Sequence, residues 1–185
     1  RGRKRGCPLR STPGIDKAIQ ALADWFERQK RVLPWREDPA PYRVWVSEIM
    51  LQQTQVDRVI GYYNRFLLKY PTIESLASTT YDELFPYYQG LGYYGRARRM
   101  IELAKVVVEK YDGIFPDDFE KLRKLPGIGK YTAQALLAFG YGKPVLAMDA
   151  NLQKIFARYY FGNRRQPIPE KMLEDLESQL KKIDH

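Results

Sequence analysis

Leu125-Pro126-Gly127-Ile128-Gly129-Lys130-Tyr131-Thr132-Ala133 is the stretch that decides the fold. Proline stiffens the entry, and two glycines in three residues break a helix. Residues 117–124 and Tyr131–Gly140 both carry helical spacing, so the glycines read as a tight turn between two short helices. Glycine admits backbone angles closed to other residues and puts no side chain between backbone and ligand. The first N–H groups of the following helix are unpaired within it, and its dipole favours an anion. A DNA phosphate suits such a turn, with Lys130 as a nearby cation. The plain alternative is an ordinary turn with glycine as breaker. Gly-x-Gly alone is weak evidence; the longer Pro-Gly-x-Gly-x-x-Thr form, ending at Thr132 with helices on both sides, favours a phosphate-binding hairpin.

Working outward, the pattern stays helical. Ile15, Ile19, Leu22, Ala23 and Phe26 recur at 3–4 spacing and predict a helix to about Gln29. Leu33-Pro34-Trp35-Arg36 and Asp38-Pro39-Ala40-Pro41 predict a stiff loop. A strongly apolar helix is expected over about Val44–Gln55, and another near Val56–Tyr70, ending at Pro71. Thr72 is placed to cap a short helix with Glu74 in its first turn, and Thr80 another with Glu83 at capping-box spacing. Gly90-Leu91-Gly92-Tyr93-Tyr94-Gly95 reads as a turn before a long helix, about Ala97–Tyr111, with core positions Ile101, Ala104, Val107 and Val108, closed by Asp112-Gly113. Asp149 opens a helix to about Phe161, and Glu170–Ile183 spells an amphipathic last one. No alternating strand and no repeat emerges, so the predicted fold is all-α.

The 185 residues are 44% hydrophobic and 29% charged, the balance of an ordinary globular chain. Apolar runs are too short for a membrane span, and no signal-peptide core follows the N-terminus. The single cysteine, Cys7, leaves no internal disulfide and no cysteine-based metal or cluster site within these residues. The net charge is +9, and five positive charges fall in the first ten residues: Arg1, Arg3, Lys4, Arg5 and Arg10. Residues 1–14 read as a basic flexible arm, serving nucleic acid or simply solubility. The remainder, at about +4, still favours a polyanion.

Two acids stand out. Glu48 has Val44, Trp45 and Leu51 as its helical neighbours, which should desolvate it and favour the protonated form of a general acid. An exposed acid on a polar stripe fits the spacing equally well. Asp149 precedes a helix, and from the residues alone its first reading is an N-cap. An anion beside a developing sugar cation is compatible with that, since a cap also fixes the side chain.

In one order the chain carries Leu33-Pro34-Trp35-Arg36, Ser47-Glu48-Ile49-Met50-Leu51-Gln52-Gln53-Thr54-Gln55-Val56, Gly90-Leu91-Gly92-Tyr93-Tyr94, the 125–133 hairpin and Met148-Asp149-Ala150-Asn151. This order resembles the helix-hairpin-helix DNA glycosylase superfamily over roughly residues 16–165, and within it the MutY-type adenine glycosylases. The resemblance implies two helical lobes with the active site in the cleft between them. Residues 15–42 and 150–185 would belong to the terminal lobe, and 43–149 to the module holding the hairpin, about 117–140. It implies removal of adenine opposite 8-oxoguanine or guanine from double-stranded DNA, by a monomeric intracellular enzyme associated with DNA. Glu48 would protonate adenine at N7. Asp149 would stabilise the oxocarbenium-like sugar or trap it covalently, as in other two-carboxylate sugar chemistry. Tyr131 and Asn151 would support the sugar and Asp149.

The resemblance also makes Leu33 and Trp35 walls of the base pocket, with Arg31 near its rim; core packing is the plain account of the two apolar residues. Gln53 and Tyr93 would enter the base stack beside Gln52, and Gly127, Gly129, Lys130 and Thr132 would hold phosphate. For Tyr93 the plain account is a turn aromatic packed on its own loop. Relatives that also cut the backbone carry lysine where Tyr131 stands, and tyrosine forms no Schiff base. The expectation is therefore base excision with little or no lyase activity. Many relatives bind a [4Fe-4S] cluster through four cysteines; none is expected here unless a longer parent chain supplies them, and no cofactor or metal is expected on these residues. Asp149-Ala150-Asn151 and Gly129-Lys130-Tyr131-Thr132 also resemble thymine-mismatch glycosylases, which makes thymine the alternative substrate, while Gln52-Gln53 favours adenine. A noncatalytic DNA-binding module retaining the hairpin is the third reading.

Overall fold

In the computed structural model of this chain, residues 15–162, 168, 169, 171–174 and 178 are described. The basic arm over 1–14 lies outside them, as does most of the helix expected over 170–183. Among the described residues the regular structure is entirely helical. No helix of the described residues is long and apolar enough to cross a membrane.

Among the described residues two compact units emerge, one mainly from Leu33–Ala147 and one from the stretches 15–32 and 148–174. In the second unit, α1 spans Ile15–Gln29 and α10 spans Ala150–Phe161. The apolar stripe of α1 does not close into a core at every position: Leu22 is 58% and Trp25 54% exposed.

The larger unit begins with α2, Pro34–Glu37, and α3, Pro41–Leu51. Here the sequence reading needs correction. The proline-rich stretch is not a continuous loop, because Pro34 and Pro41 each take the first helical turn, where a missing N–H costs nothing and φ is already set. The helix expected to run to Gln55 ends at Leu51, because Gln53 turns into the left-handed region at φ 59°. Four helices follow: α4, Val56–Lys69; α5, Ile73–Ala77; α6, Tyr81–Tyr88; and α7, Gly95–Tyr111. Thr72 caps α5 in a reciprocal box with Ser75, and Thr80 caps α6 in one with Glu83. The backbone N–H of Thr80 and the Thr79 and Thr80 hydroxyls hold the Glu83 carboxyl below its ordinary pKa.

Helix α3 is the hub. Val44, Trp45, Val46 and Met50 are 0–3% exposed, and α2, α4 and α9 (Lys130–Ala135) pack around it. From α4 come Val59, Tyr63 and Phe66; from α7 come Ala97, Met100, Leu103, Ala104 and Val107. Of the expected α7 core positions, Ile101, Ala104 and Val107 are buried and Val108 only partly so, while Ala97, Met100 and Leu103 are buried beside them. Beyond α8, Phe119–Arg123, the hairpin leads into α9, which widens into a π-helical turn over Leu136–Gly140. That turn lies against α3, and a β-carbon on Gly140 would stand 3.0 Å from Pro41 Cα. The segment after it is latched back before α8: Tyr141 donates to the Phe115 carbonyl, and Lys143 Nζ lies 2.8 Å from Asp117 Oδ2 while also donating to the Asp117 carbonyl.

Gly140→Ala should destabilise by about 1–3 kcal/mol because backbone opposes the new methyl. Gly61→Ala, in the middle of α4 with open space around it, should stabilise by about 0.5–1 kcal/mol. Urea midpoints that move the same way for both variants would contradict the close approach at Pro41. Burial also pushes the Tyr63 and Tyr88 hydroxyls up to about 12, and neither has a hydrogen-bond partner among the described residues. The folded state therefore favours their protonated forms. That stability is fully present below the unfolded value of about 10 and is lost as pH climbs from there through about 12. Phenolate absorbance should show a late cooperative step coincident with loss of helical circular dichroism; a single early wave in intact protein would refute it.

Candidate functional site

The hairpin is built from both sides. Asp118 caps α8, accepting from the Lys121 N–H at 2.9 Å, and Leu125 and Ile128 anchor the turn at 4% and 5% exposure. The Ile128 N–H closes on the Leu125 carbonyl at 3.2 Å, and Arg123 donates to the Ile128 carbonyl. Gly127 takes φ +78°, which a side chain resists. Gly129 does not: at φ −82° it is an extended N-cap, with nothing within 4 Å of where a β-carbon would sit. Its contribution is open space in front of the α9 N-terminus rather than an unusual backbone angle. Gly127, Gly129 and Lys130 are exposed, whereas Thr132 is buried at 5%.

Pro126 and Gly127 share a crevice with Gln52, Arg96 and Arg99, so the hairpin and the end of α3 border one surface. Gln52 and Gln53 are exposed, and so is Tyr93, at 64%. Tyr93 has φ 50° and Gln53 φ 59°, both in the left-handed region that costs a side-chain-bearing residue energy. Between these loops lies a residue the sequence reading missed. Arg96, 7% exposed, sends Nη1 to the Ile49 and Gln52 carbonyls, each at 2.7 Å. Its Nη2 reaches the Leu91 and Gly92 carbonyls at 3.2 and 3.1 Å. The available signal was a cation in the first turn of α7, where no acid stands and the helix dipole disfavours it.

The two acids sit on different units. Glu48 is half-buried on α3, between fully buried neighbours Ser47 and Ile49. Tyr131 is half-buried on α9, which packs against α3, so these two residues stand on contacting helices. Asp149 is half-buried and caps α10, its Oδ1 accepting from the Leu152 N–H at 2.6 Å. Asn151 is exposed in the first turn of the same helix. Leu33 and Trp35, at 4% and 8% exposure, join the buried core of the larger unit, where Trp35 meets Tyr63 edge-on at 5.3 Å. Arg31 is exposed and belongs to the other unit.

Against known proteins, the sequence model described as HhH-GPD superfamily base excision DNA repair protein matches residues 46–182. An adenine DNA glycosylase of Buchnera aphidicola subsp. Baizongia pistaciae (strain Bp) is 41% identical over 155 residues, 83% of this chain and 44% of that protein. The adenine DNA glycosylase of Homo sapiens is 42% identical over 147 residues, 75% of this chain and 27% of that protein. The chain thus spans less than half the length of either relative. Among solved structures, a thermostable thymine-DNA glycosylase aligns with a TM-score of 0.80 at 30% identity, covering 89% of this chain and 77% of that one. An endonuclease III in a non-covalent complex with DNA aligns at 0.72 and 25% identity, covering 91% and 76%.

Proposed function

The chain belongs to the HhH-GPD superfamily of base excision DNA repair proteins, and on that premise we propose that it is a DNA glycosylase that removes adenine mispaired with 8-oxoguanine or guanine. The observation that carries the reading is the pair of exposed residues, Gln53 and Tyr93, held left-handed in adjacent loops beside the hairpin surface. Two side chains so presented suit a wedge. Extruding a base costs a few kcal/mol, and filling the gap offsets it. The likeness to adenine glycosylases of a bacterium and of human, each above 40% identity, supports the choice of base.

The partner is double-stranded DNA. Gly127, Gly129 and Lys130 meet a phosphate at the hairpin, with Thr132 holding the turn from below and Gln52 bordering the same surface. Glu48 protonates N7 of the adenine and makes it a better leaving group. The glycosidic bond breaks, its electron pair leaves with the base, and the sugar becomes oxocarbenium-like. Asp149 stabilises that cation or adds to it until water takes its place. Its capping bond to Leu152 fixes the carboxylate for this role. Tyr131 and Asn151 support the sugar and Asp149, and Arg31 stands near the rim of the base pocket. Tyr131 provides no amine, so the reaction ends at the abasic site. Cys7 is the single cysteine, so these residues do not fit a four-cysteine iron–sulfur cluster, and no step here runs through one.

A second reading, thymine excision, is favoured by Asp149-Ala150-Asn151 and by the likeness to a thymine-DNA glycosylase structure. Duplexes bearing A opposite 8-oxoguanine, A opposite G, or T opposite G, treated with alkali after incubation, separate the readings. Cleavage at A is expected. Cleavage of the T strand alone would reject the adenine assignment, and no cleavage anywhere would favour a binding module.

Asp149→Asn keeps a cap of similar strength, so it should still fold and bind duplex while losing most excision, by about a thousandfold or more. Undiminished turnover would leave Asp149 as a cap alone. Tyr131→Lys should introduce strand nicking with a borohydride-trappable adduct, and the absence of any adduct would argue against a place beside the sugar.

A further inference from the structure

We propose that Arg96 is a positioning residue that locks the Gln53 and Tyr93 loops into a single preorganised wedge. This rests on the reading that those two residues enter the base stack. A guanidinium has five N–H donors, and four of those of Arg96 are spent on backbone carbonyls. Two acceptors, Ile49 and Gln52, end α3 just before Gln53. The other two, Leu91 and Gly92, immediately precede Tyr93. The same guanidinium lies 5.4 Å from the Tyr93 ring centroid and 5.7 Å from that of Tyr88. One buried cation thus holds the backbone of both loops and the underside of one protruding ring.

The placement makes little sense for helix stability alone. Arg96 stands at the positive end of its own helix, with no acid in the first turn. Its charge is met instead by the negative end of α3 and by the loop. Helix α4 extends the hold: Arg58 Nη2 donates to the Gly90 carbonyl at 2.5 Å, and the Tyr62 hydroxyl to the Gln89 carbonyl at 2.9 Å. Four consecutive carbonyls, those of residues 89–92, therefore each accept a side-chain hydrogen bond. Left-handed residues other than glycine persist where their surroundings over-determine them. Here Arg96 sets the exit of one such residue's neighbour and the entry of the other. A wedge that stayed loose would be pushed back by the closing base stack, whereas an ordered one has already met its ordering cost in folding.

The test uses the full chain and a duplex with 2-aminopurine beside the target adenine, whose fluorescence rises on unstacking. Tyr93→Ala with Gln53→Ala should lose most of the rise, which checks the underlying reading separately. Arg96→Lys should lose about half of it or more, and slow single-turnover excision about tenfold or more, with affinity for undamaged duplex within about twofold. In the Gln53→Ala/Tyr93→Ala background, the same Arg96→Lys should cost less than about twofold, because its effect runs through residues already removed. An undiminished rise in Arg96→Lys, or an equal loss in both backgrounds, overturns the proposal. If the wedge double variant keeps the full rise, the reading beneath it fails and the proposal with it. Should Arg96→Lys not fold, Arg58→Met, altered at an exposed position, is read by the same background comparison.

Discussion

The near-complete burial of α3 is the constraint on which the larger unit depends. A helix enclosed on most sides presents few side chains to solvent, and its function concentrates where it emerges. Glu48 is the one partly accessible residue between Val44 and Met50. The other point of emergence is the C-terminal end, where the last carbonyls need donors. Arg96 supplies them from α7, so the sealing of α3 and the shaping of the Gln53 and Tyr93 loops are one event. The hairpin enters this arrangement because α9 and the π-helical turn pack on the same hub. Glu48, the Gln53 and Tyr93 loops and the 125–129 turn are thereby referred to one buried helix.

Much of this was written in local chemistry. Thr80 and Glu83 satisfy each other's termini within four residues, so that boundary needs no tertiary partner to be read. Asp112 and Asp149 likewise mark ends through their own backbone or side-chain geometry. Pro34 and Pro41 misled because proline forbids a helix interior but favours a helix start, and its letter does not say which applies. The early end of α3 was hidden for a different reason. Gln53 is no intrinsic helix terminator, and the Ile49 and Gln52 carbonyls just before it are held by Arg96, more than forty positions away.

The candidate site divides along the same line. The hairpin was legible because glycine and proline act locally, although only Gly127 uses the angle attributed to both glycines. The cap at Asp149 was legible because the side chain acts within three residues. Arg96 was not, since an arginine in a basic segment gives no sign that it turns inward. Its neighbours Arg98 and Arg99 are exposed, and nothing in their order distinguishes the three. Nor does the 3–4 spacing separate Leu103, which is buried, from Val108, which is only partly so.

The latch formed by Tyr141 with Phe115 and by Lys143 with Asp117 fastens the two ends of the hairpin segment to each other. A segment closed in this way keeps its internal shape when the chain on either side changes length. Extra residues at the 112–114 bend or after Lys143 would be absorbed outside the fastening, leaving the glycine turn undisturbed. The hairpin is thus a self-fastened segment whose geometry does not depend on the lengths of the loops that flank it.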